Sequence, residues 1–286
     1  MDDYSNATLS DLDEDGSKEI LVGYARIVVS EKRGYLFCYN QDFSLRWKKK
    51  LSHDVKYGDM EYSDFFSVQF MTIDDFNSDG EKEICVKISH NYFPKCYMVL
   101  SSSGKILSQY WHSGDLTDIG VIDLIPDNGT KELLLAGENN EYKCGVLVIL
   151  NPFKMYGTSP QCNPYYTKEG AQTGGELAYL QFPTTHFQDD QYRDKAKLLG
   201  INLDDIIRLG LFNWPQNYIG EGGTLVVYHL NKELQPIFID LTDFYYSAYE
   251  EQFPDKPKLK YNDPKLIDHF RKILYWDGST WSFMDP

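Results

Sequence analysis

The sequence predicts an all-β protein assembled from repeated four-stranded antiparallel units, a β-propeller of about five blades, and three observations carry that reading. An acidic, glycine-containing loop recurs along the first half of the chain. Each copy lies between two short runs of strand-forming residues, and further runs of the same kind follow it. Self-similarity of this sort marks a repeat architecture, because a single meander cannot bury both of its faces and must stack on a neighbour.

The first loop reads Asp11-Leu12-Asp13-Glu14-Asp15-Gly16-Ser17-Lys18-Glu19 and runs into Ile20-Leu21-Val22. The second reads Asp75-Phe76-Asn77-Ser78-Asp79-Gly80-Glu81-Lys82-Glu83, preceded by Phe66 to Ile73 and followed by an apolar run to Ile88. A third, decayed copy spans 123–132, between Ile119 to Ile122 and Leu133 to Leu135. The loop glycines Gly16, Gly80 and Gly129 are 64 and 49 residues apart, the first spacing above and the second at the upper end of the ~40–50 residues of common propeller blades.

Two more strands follow in each of the first two units, Gly34 to Tyr39 with Leu45 to Trp47 and Cys96 to Leu100 with Ile106 to Trp111, and one, Gly145 to Leu150, in the third. A fourth unit, without a metal loop, is traced through Leu177 to Phe182, Ile206 to Phe212, Thr224 to Leu230 and Leu234 to Ile239. The residues 153–176, rich in Gly, Pro, Tyr and Asn, read as a long connecting loop and a candidate binding surface. Helices are predicted from Thr242 to Phe253 and Asp263 to Lys272, each opening on a capping residue, with a hairpin around Asp277-Gly278 at the end. The expected organisation is a single domain with blades near 1–55, 60–114, 117–160, 172–241 and 242–286.

The acidic loops carry the chemistry. Asp11, Asp13, Asp15 and Glu19 stand at positions 1, 3, 5 and 9, with Gly16 at position 6 permitting a turn that other side chains obstruct. Such spacing converges hard oxygens on one point, and calcium takes six to eight of them at about 2.3–2.6 Å. Asp75, Asn77, Asp79 and Glu83 occupy the same positions in the second loop, and Ser17 and Glu81 at position 7 complete the two predicted ligand sets. The third loop offers Asp123, Asp127, Asn128 and Glu132, but aligning it on Gly129 puts Leu124 and Pro126 at ligand positions. An EF-hand is excluded, since its loop needs Glu at position 12 and flanking helices.

The pattern D-x-[DN]-x-D-G-x-x-E followed by an apolar strand resembles the FG-GAP or VCBS repeats of integrin-like β-propellers over about residues 7 to 150. The resemblance implies that the loop joins the first and second strands of a blade and carries a structural calcium, two ions in all. It also implies a module that binds proteins or glycans rather than a catalyst.

Composition narrows the function classes. With 28 Lys+Arg against 43 Asp+Glu the formal charge is −15, a field that repels phosphate backbones, so nucleic acid is not an expected partner. Residues 11–19 and 75–83 hold nine acidic side chains and two lysines, so they contribute −7 of that charge and two calcium ions would return +4. No apolar stretch approaches the ~20 residues of a membrane helix, and no membrane insertion is expected. The compartment follows from the start of the chain: cytoplasmic if Met1 is native, extracellular if the sequence is part of a secreted protein. Five cysteines without a C-x-x-C pair read as buried free thiols.

Nucleophile-elbow, Walker, zinc-protease and dinucleotide motifs are absent, and the carboxylate pairs Asp189-Asp190 and Asp204-Asp205 are adjacent residues that a strand points to opposite faces. His90, His112, His186 and His229 read as hydrogen-bonded structural residues, and Lys48-Lys49-Lys50 as an edge-strand guard against aggregation. The function expected is a non-catalytic, calcium-stabilised module for a protein partner. The alternative is a glycan-binding or glycan-cleaving domain, which predicts exposed aromatics beside carboxylates.

Overall fold

The computed structural model describes residues 4–26, 34–63, 66–90, 93–187, 196–204, 206–213 and 223–283. Antiparallel sheets dominate, as the all-β reading requires, and the chain divides into two compact units. The first comprises Met1–Asp115, Ile125–Glu132 and Leu150–Glu176, and the second Leu116–Leu124, Leu133–Ile149 and Leu177–Pro286.

In the first unit, β1 (Tyr4–Ser10), β2 (Glu19–Arg26), β3 (Tyr35–Tyr39) and β4 (Leu45–Lys50) form a meander in sequence order. A ribbon of β5 (Val55–Tyr57) and β6 (Met60–Tyr62) follows. A second meander then runs through β7 (Ser67–Asp74), β8 (Glu83–Ser89), β9 (Lys95–Leu100) and β10 (Ile106–His112). Alternation sets the faces of β3: Leu36 and Cys38 are buried, while Tyr35, Phe37 and Tyr39 line up ring to ring on the other side. Strand β8 is buried on both faces, and its Lys87 is neutralised by Asp115 at 2.9 Å.

The two meanders meet through their early strands. Gly23 on β2 lies against Val68 on β7, where a Cβ would come within 3.1 Å of the valine Cγ1. Around that contact the first core gathers Leu21, Leu36, Val68, Ile84, Val86, Met98 and Trp111. Lys48, Lys49 and Lys50 lie on β4, an edge strand, where their charge discourages further pairing.

The second unit contains β11 (Leu116–Ile122), β12 (Glu132–Asn139), β13 (Cys144–Leu150), β14 (Ala178–Gln181), β15 (Lys197–Leu203), β16 (Ile207–Asn213), β17 (Gly223–Leu230) and β18 (Pro236–Leu241). Helices α1 (Asp243–Gln252) and α2 (Pro264–Phe270) and strands β19 (Leu274–Trp276) and β20 (Trp281–Phe283) complete it. A six-stranded sheet runs β11-β12-β13-β14-β19-β20, its first four strands making a third sequential meander, and β15 to β18 make a fourth. Its core centres on Leu134, Leu147, Leu180, Leu209 and Tyr228, under Tyr245 and Tyr249 of α1. Thr242 caps α1 by accepting from the Tyr245 amide, and Asp263 caps α2 by accepting from Lys265, at the two sites the sequence marks.

Three strand assignments differ from expectation. Leu177 to Phe182 does not open the fourth unit: β14 pairs with β13 and closes the third meander. The fourth meander opens instead on β15, whose bulge between Leu199 and Asn202 breaks the two-residue alternation. The final hairpin forms around Asp277-Gly278, but β19 adds to β14 through Tyr179 and Trp276 rather than starting a blade of its own at 242–286. The four thiols Cys38, Cys85, Cys96 and Cys144 are buried as expected, whereas Cys162 is exposed. Among the described residues no helix is long and apolar enough to cross a membrane.

Candidate metal centre

The recurring loops are built alike, residue for residue. Positions 4 and 6 have positive φ in all three: Glu14 (55°) and Gly16 (89°), Ser78 (60°) and Gly80 (92°), Asp127 (63°) and Gly129 (72°). The position-7 amide donates to the position-5 side chain each time, Ser17 to Asp15 at 2.7 Å, Glu81 to Asp79 at 2.9 Å and Thr130 to Asn128 at 2.8 Å. At position 9 a buried glutamate turns back and accepts from the position-2 amide: Leu12 to Glu19 at 2.9 Å, Phe76 to Glu83 at 3.0 Å and Ile125 to Glu132 at 3.2 Å. The third loop therefore keeps the backbone of the other two after losing their carboxylates.

In the first loop Asp11, Asp13 and Asp15 bring one carboxylate oxygen each to within 4.8 Å of one another, the one such group of His, Cys, Asp or Glu among the described residues. Asp11 Oδ2 accepts from the Gly16 amide at 3.0 Å. The remaining Oδ1 atoms of Asp11 and Asp13 are buried without a hydrogen-bond partner. Buried carboxylate oxygens left unsatisfied are costly, and a hard divalent cation held among the three carboxylates would satisfy them. The donor set fits calcium on those grounds. Ser17 stands beside it through its Asp15-bound amide.

Arg46, on β4, closes the same loop from the side. Its Nη2 lies 2.7 Å from Asp13 Oδ2 and its Nη1 2.8 Å from Glu19 Oε1. That hydrogen bond and the guanidinium charge hold the Asp13 carboxyl below its ordinary value. With Oε2 on Leu12 and Oε1 on Arg46, both oxygens of Glu19 are committed. It braces the loop here.

The second loop is closed by hydrogen bonds of its own. Asp75 accepts from the amides of Asp79 at 3.1 Å and Gly80 at 2.9 Å, and Asn77 gives its Nδ2 to Asp79 Oδ2 at 2.8 Å. Burial works against the Asp75 carboxylate, yet the loop amides outweigh it and hold it below the ordinary range. Burial pushes the Glu83 carboxyl up, opposed by the Phe76 amide. Glu81 points away to the Ser102 hydroxyl at 2.7 Å. The predicted set Asp75, Asn77, Asp79, Glu81 and Glu83 is thus not drawn together as the first is. In the third loop Asn128 binds Glu132 at 2.6 Å, and Asp123 and Asp127 are exposed, so the four predicted residues do not converge there either.

His90 and His186 are hydrogen-bonded, as the sequence implies. His112 is fully buried, and burial drives it down to about 4, which keeps it neutral. His90 Nδ1 lies 3.1 Å from the Phe93 carbonyl oxygen and His186 Nδ1 2.5 Å from the Tyr245 hydroxyl. Asp189, Asp190 and Asp205 lie outside the described residues. Sequence reasoning missed Arg46, whose side chain reaches back across 33 residues; a lone arginine in Leu45-Arg46-Trp47 carries no signal of that reach.

No family model matches the chain, and no curated protein matches its sequence. The likeness to FG-GAP and VCBS repeats rests on the loop residues themselves.

Proposed function

We propose that this protein is a calcium-stabilised β-propeller of the integrin-like repeat type that serves as a non-catalytic module for binding a protein partner. The observation that carries the metal assignment is the Asp11, Asp13 and Asp15 group, two of whose carboxylate oxygens are buried without a hydrogen-bond partner. Sequential four-stranded meanders support the blade reading. Calcium is structural in this proposal: it fixes the first hairpin of a blade so that the loops and edges around it present a constant surface.

Support for binding comes from the aromatic side chains outside the meanders. Tyr165 is 48% exposed, stacks on Phe93 at 6.2 Å and meets Tyr166 edge to face at 4.9 Å. Rigid exposed tyrosines bury large areas at small entropic cost, which suits them as interface anchors. A glycan-binding reading rests on a different feature, a surface cavity of about 480 Å³ where Tyr62 stands beside Asp54, Glu61 and Lys56.

The test has two arms. Thermal melts in calcium and in chelator are expected to differ, with Asp13→Ala removing most of the difference; identical melts overturn the metal assignment. Affinity capture with the wild-type chain and with Tyr165→Ala, run beside a glycan array, separates the two binding readings. A glycan hit that depends on Tyr62, with no protein lost on Tyr165→Ala, replaces the protein-module reading.

A further inference from the structure

The guanidinium of Arg46 occupies a place in the first loop that has no counterpart in the second. Strands β4 and β10 are equivalent by pairing: Tyr39 faces Leu45 and Cys38 faces Trp47, while Leu100 faces Ile106 and Val99 faces Ser108. Each strand carries one extra residue at that point, Arg46 in β4 and Leu107 in β10. A bulge leaves its extra residue out of the ladder and re-aims the side chain. In β4 that redirection sends a cation onto Asp13 and Glu19, two of the five predicted ligands. The formal charges then come out equal: residues 11–19 carry −4, which Arg46 brings to −3, and residues 75–83 carry −3.

Resting on the calcium reading above, we propose that Arg46 is a tethered counter-ion of the first loop. It holds Asp13 and Glu19 in place when the loop is metal-free, and it competes with the ion for the charge of Asp13 when calcium binds. The geometry allows both roles at once, because Arg46 takes Asp13 Oδ2 and leaves Oδ1 buried without a hydrogen-bond partner. The loop is thereby buffered: it stays shaped without metal, and its affinity is set below what its four carboxylates alone would give. A merely structural arginine would support folding and calcium binding together, whereas a tethered counter-ion supports the first and opposes the second.

The two roles separate in Arg46→Gln. Titration calorimetry of the full chain with calcium chloride is expected to show tighter binding at one site, by about three- to tenfold, as removal of a nearby like charge from a partly buried site implies. Melting in chelator is expected to fall below wild type. Unchanged or weaker calcium binding overturns the proposal, whatever happens to the melt. Arg46→Lys, which keeps the charge without the fork, is the second variant should the glutamine chain not fold in chelator; it is expected to bind calcium like wild type and to melt lower in chelator. If the wild-type chain shows neither calcium heat nor a calcium-dependent melt, the calcium reading itself fails and the counter-ion role falls with it. Calcium binding that Arg46→Gln leaves unaltered defeats the counter-ion role alone.

Discussion

The backbone amide of Lys82 donates to the carbonyl of Leu12 at 2.8 Å, joining the second acidic loop to the first. Lys131 repeats the bond onto Phe76, also at 2.8 Å, so position 8 of each loop is fastened to position 2 of the one before. Leu12 and Phe76 are themselves held by Glu19 and Glu83 through their amides. Order in one loop is thus passed to the next through a single peptide unit. Hydrogen exchange is expected to show the Lys82 amide opening faster in chelator than in calcium, with Lys131 little changed. Equal exchange at Lys82 in both conditions would mean that the first loop is equally ordered with and without metal.

Asp13 is the one carboxylate shared between the three-aspartate group and Arg46. Asp13→Ala is expected to remove most of the calcium-dependent rise in melting temperature, and Asn77→Asp to enlarge it by adding a carboxylate at position 3 of the second loop. Calorimetric melts of the three chains with and without calcium check both. A rise that survives Asp13→Ala intact would move the ion to another site.

Much of this architecture is legible in the sequence, for a definable reason. Each acidic loop joins adjacent strands, and local pairing with strict alternation, as along Tyr35 to Tyr39, fixes which residues point inward. The helix caps Thr242 and Asp263 are equally local. What escaped is non-local. The union of β14 with β19 joins Tyr179 to Trp276 across the whole fourth meander, and no periodicity reports a partner that distant. The site divides in the same way: the spacing of Asp11, Asp13 and Asp15 announces their convergence, but the reach of Arg46 depends on a bulge that composition does not reveal. Glu19, Glu83 and Glu132 stand at position 9, where the sequence predicts a ligand, and each also accepts the amide of position 2 in its own loop.

That bracing role is cleanest at Glu132, where the neighbouring ligand positions are Leu124 and Pro126. It is fully buried and accepts from Ile125 and from Asn128. Removing it strands those donors, at a cost of about 1–3 kcal/mol. Glu132→Ala is expected to lower stability in urea unfolding by that order, and equally in calcium and in chelator. A loss seen only in calcium would reassign Glu132 as a ligand.

Two buried groups of the first unit pull its pH dependence in opposite directions. Burial pushes the Glu176 carboxyl from its ordinary 4.5 up to about 7, opposed by its own amide and the Tyr110 hydroxyl. The folded chain then holds a proton that the unfolded chain releases, so the contribution of Glu176 is fully present below 4.5 and lost as pH rises to about 7. His112, pushed down from 6.5 to about 4, has the reverse sign: its contribution is complete above 6.5 and lost as pH falls through 4. Each is worth about 3 kcal/mol at most, and between pH 4.5 and 6.5 they offset one another. Glu176→Gln abolishes one of them. The variant is expected to match wild type near pH 4, to gain on it steadily from pH 5 to 7, and to be the more stable by up to about 3 kcal/mol at pH 8. Urea unfolding at one-unit pH steps measures the difference, and a gap between variant and wild type that does not change with pH would place Glu176 in water rather than in the core.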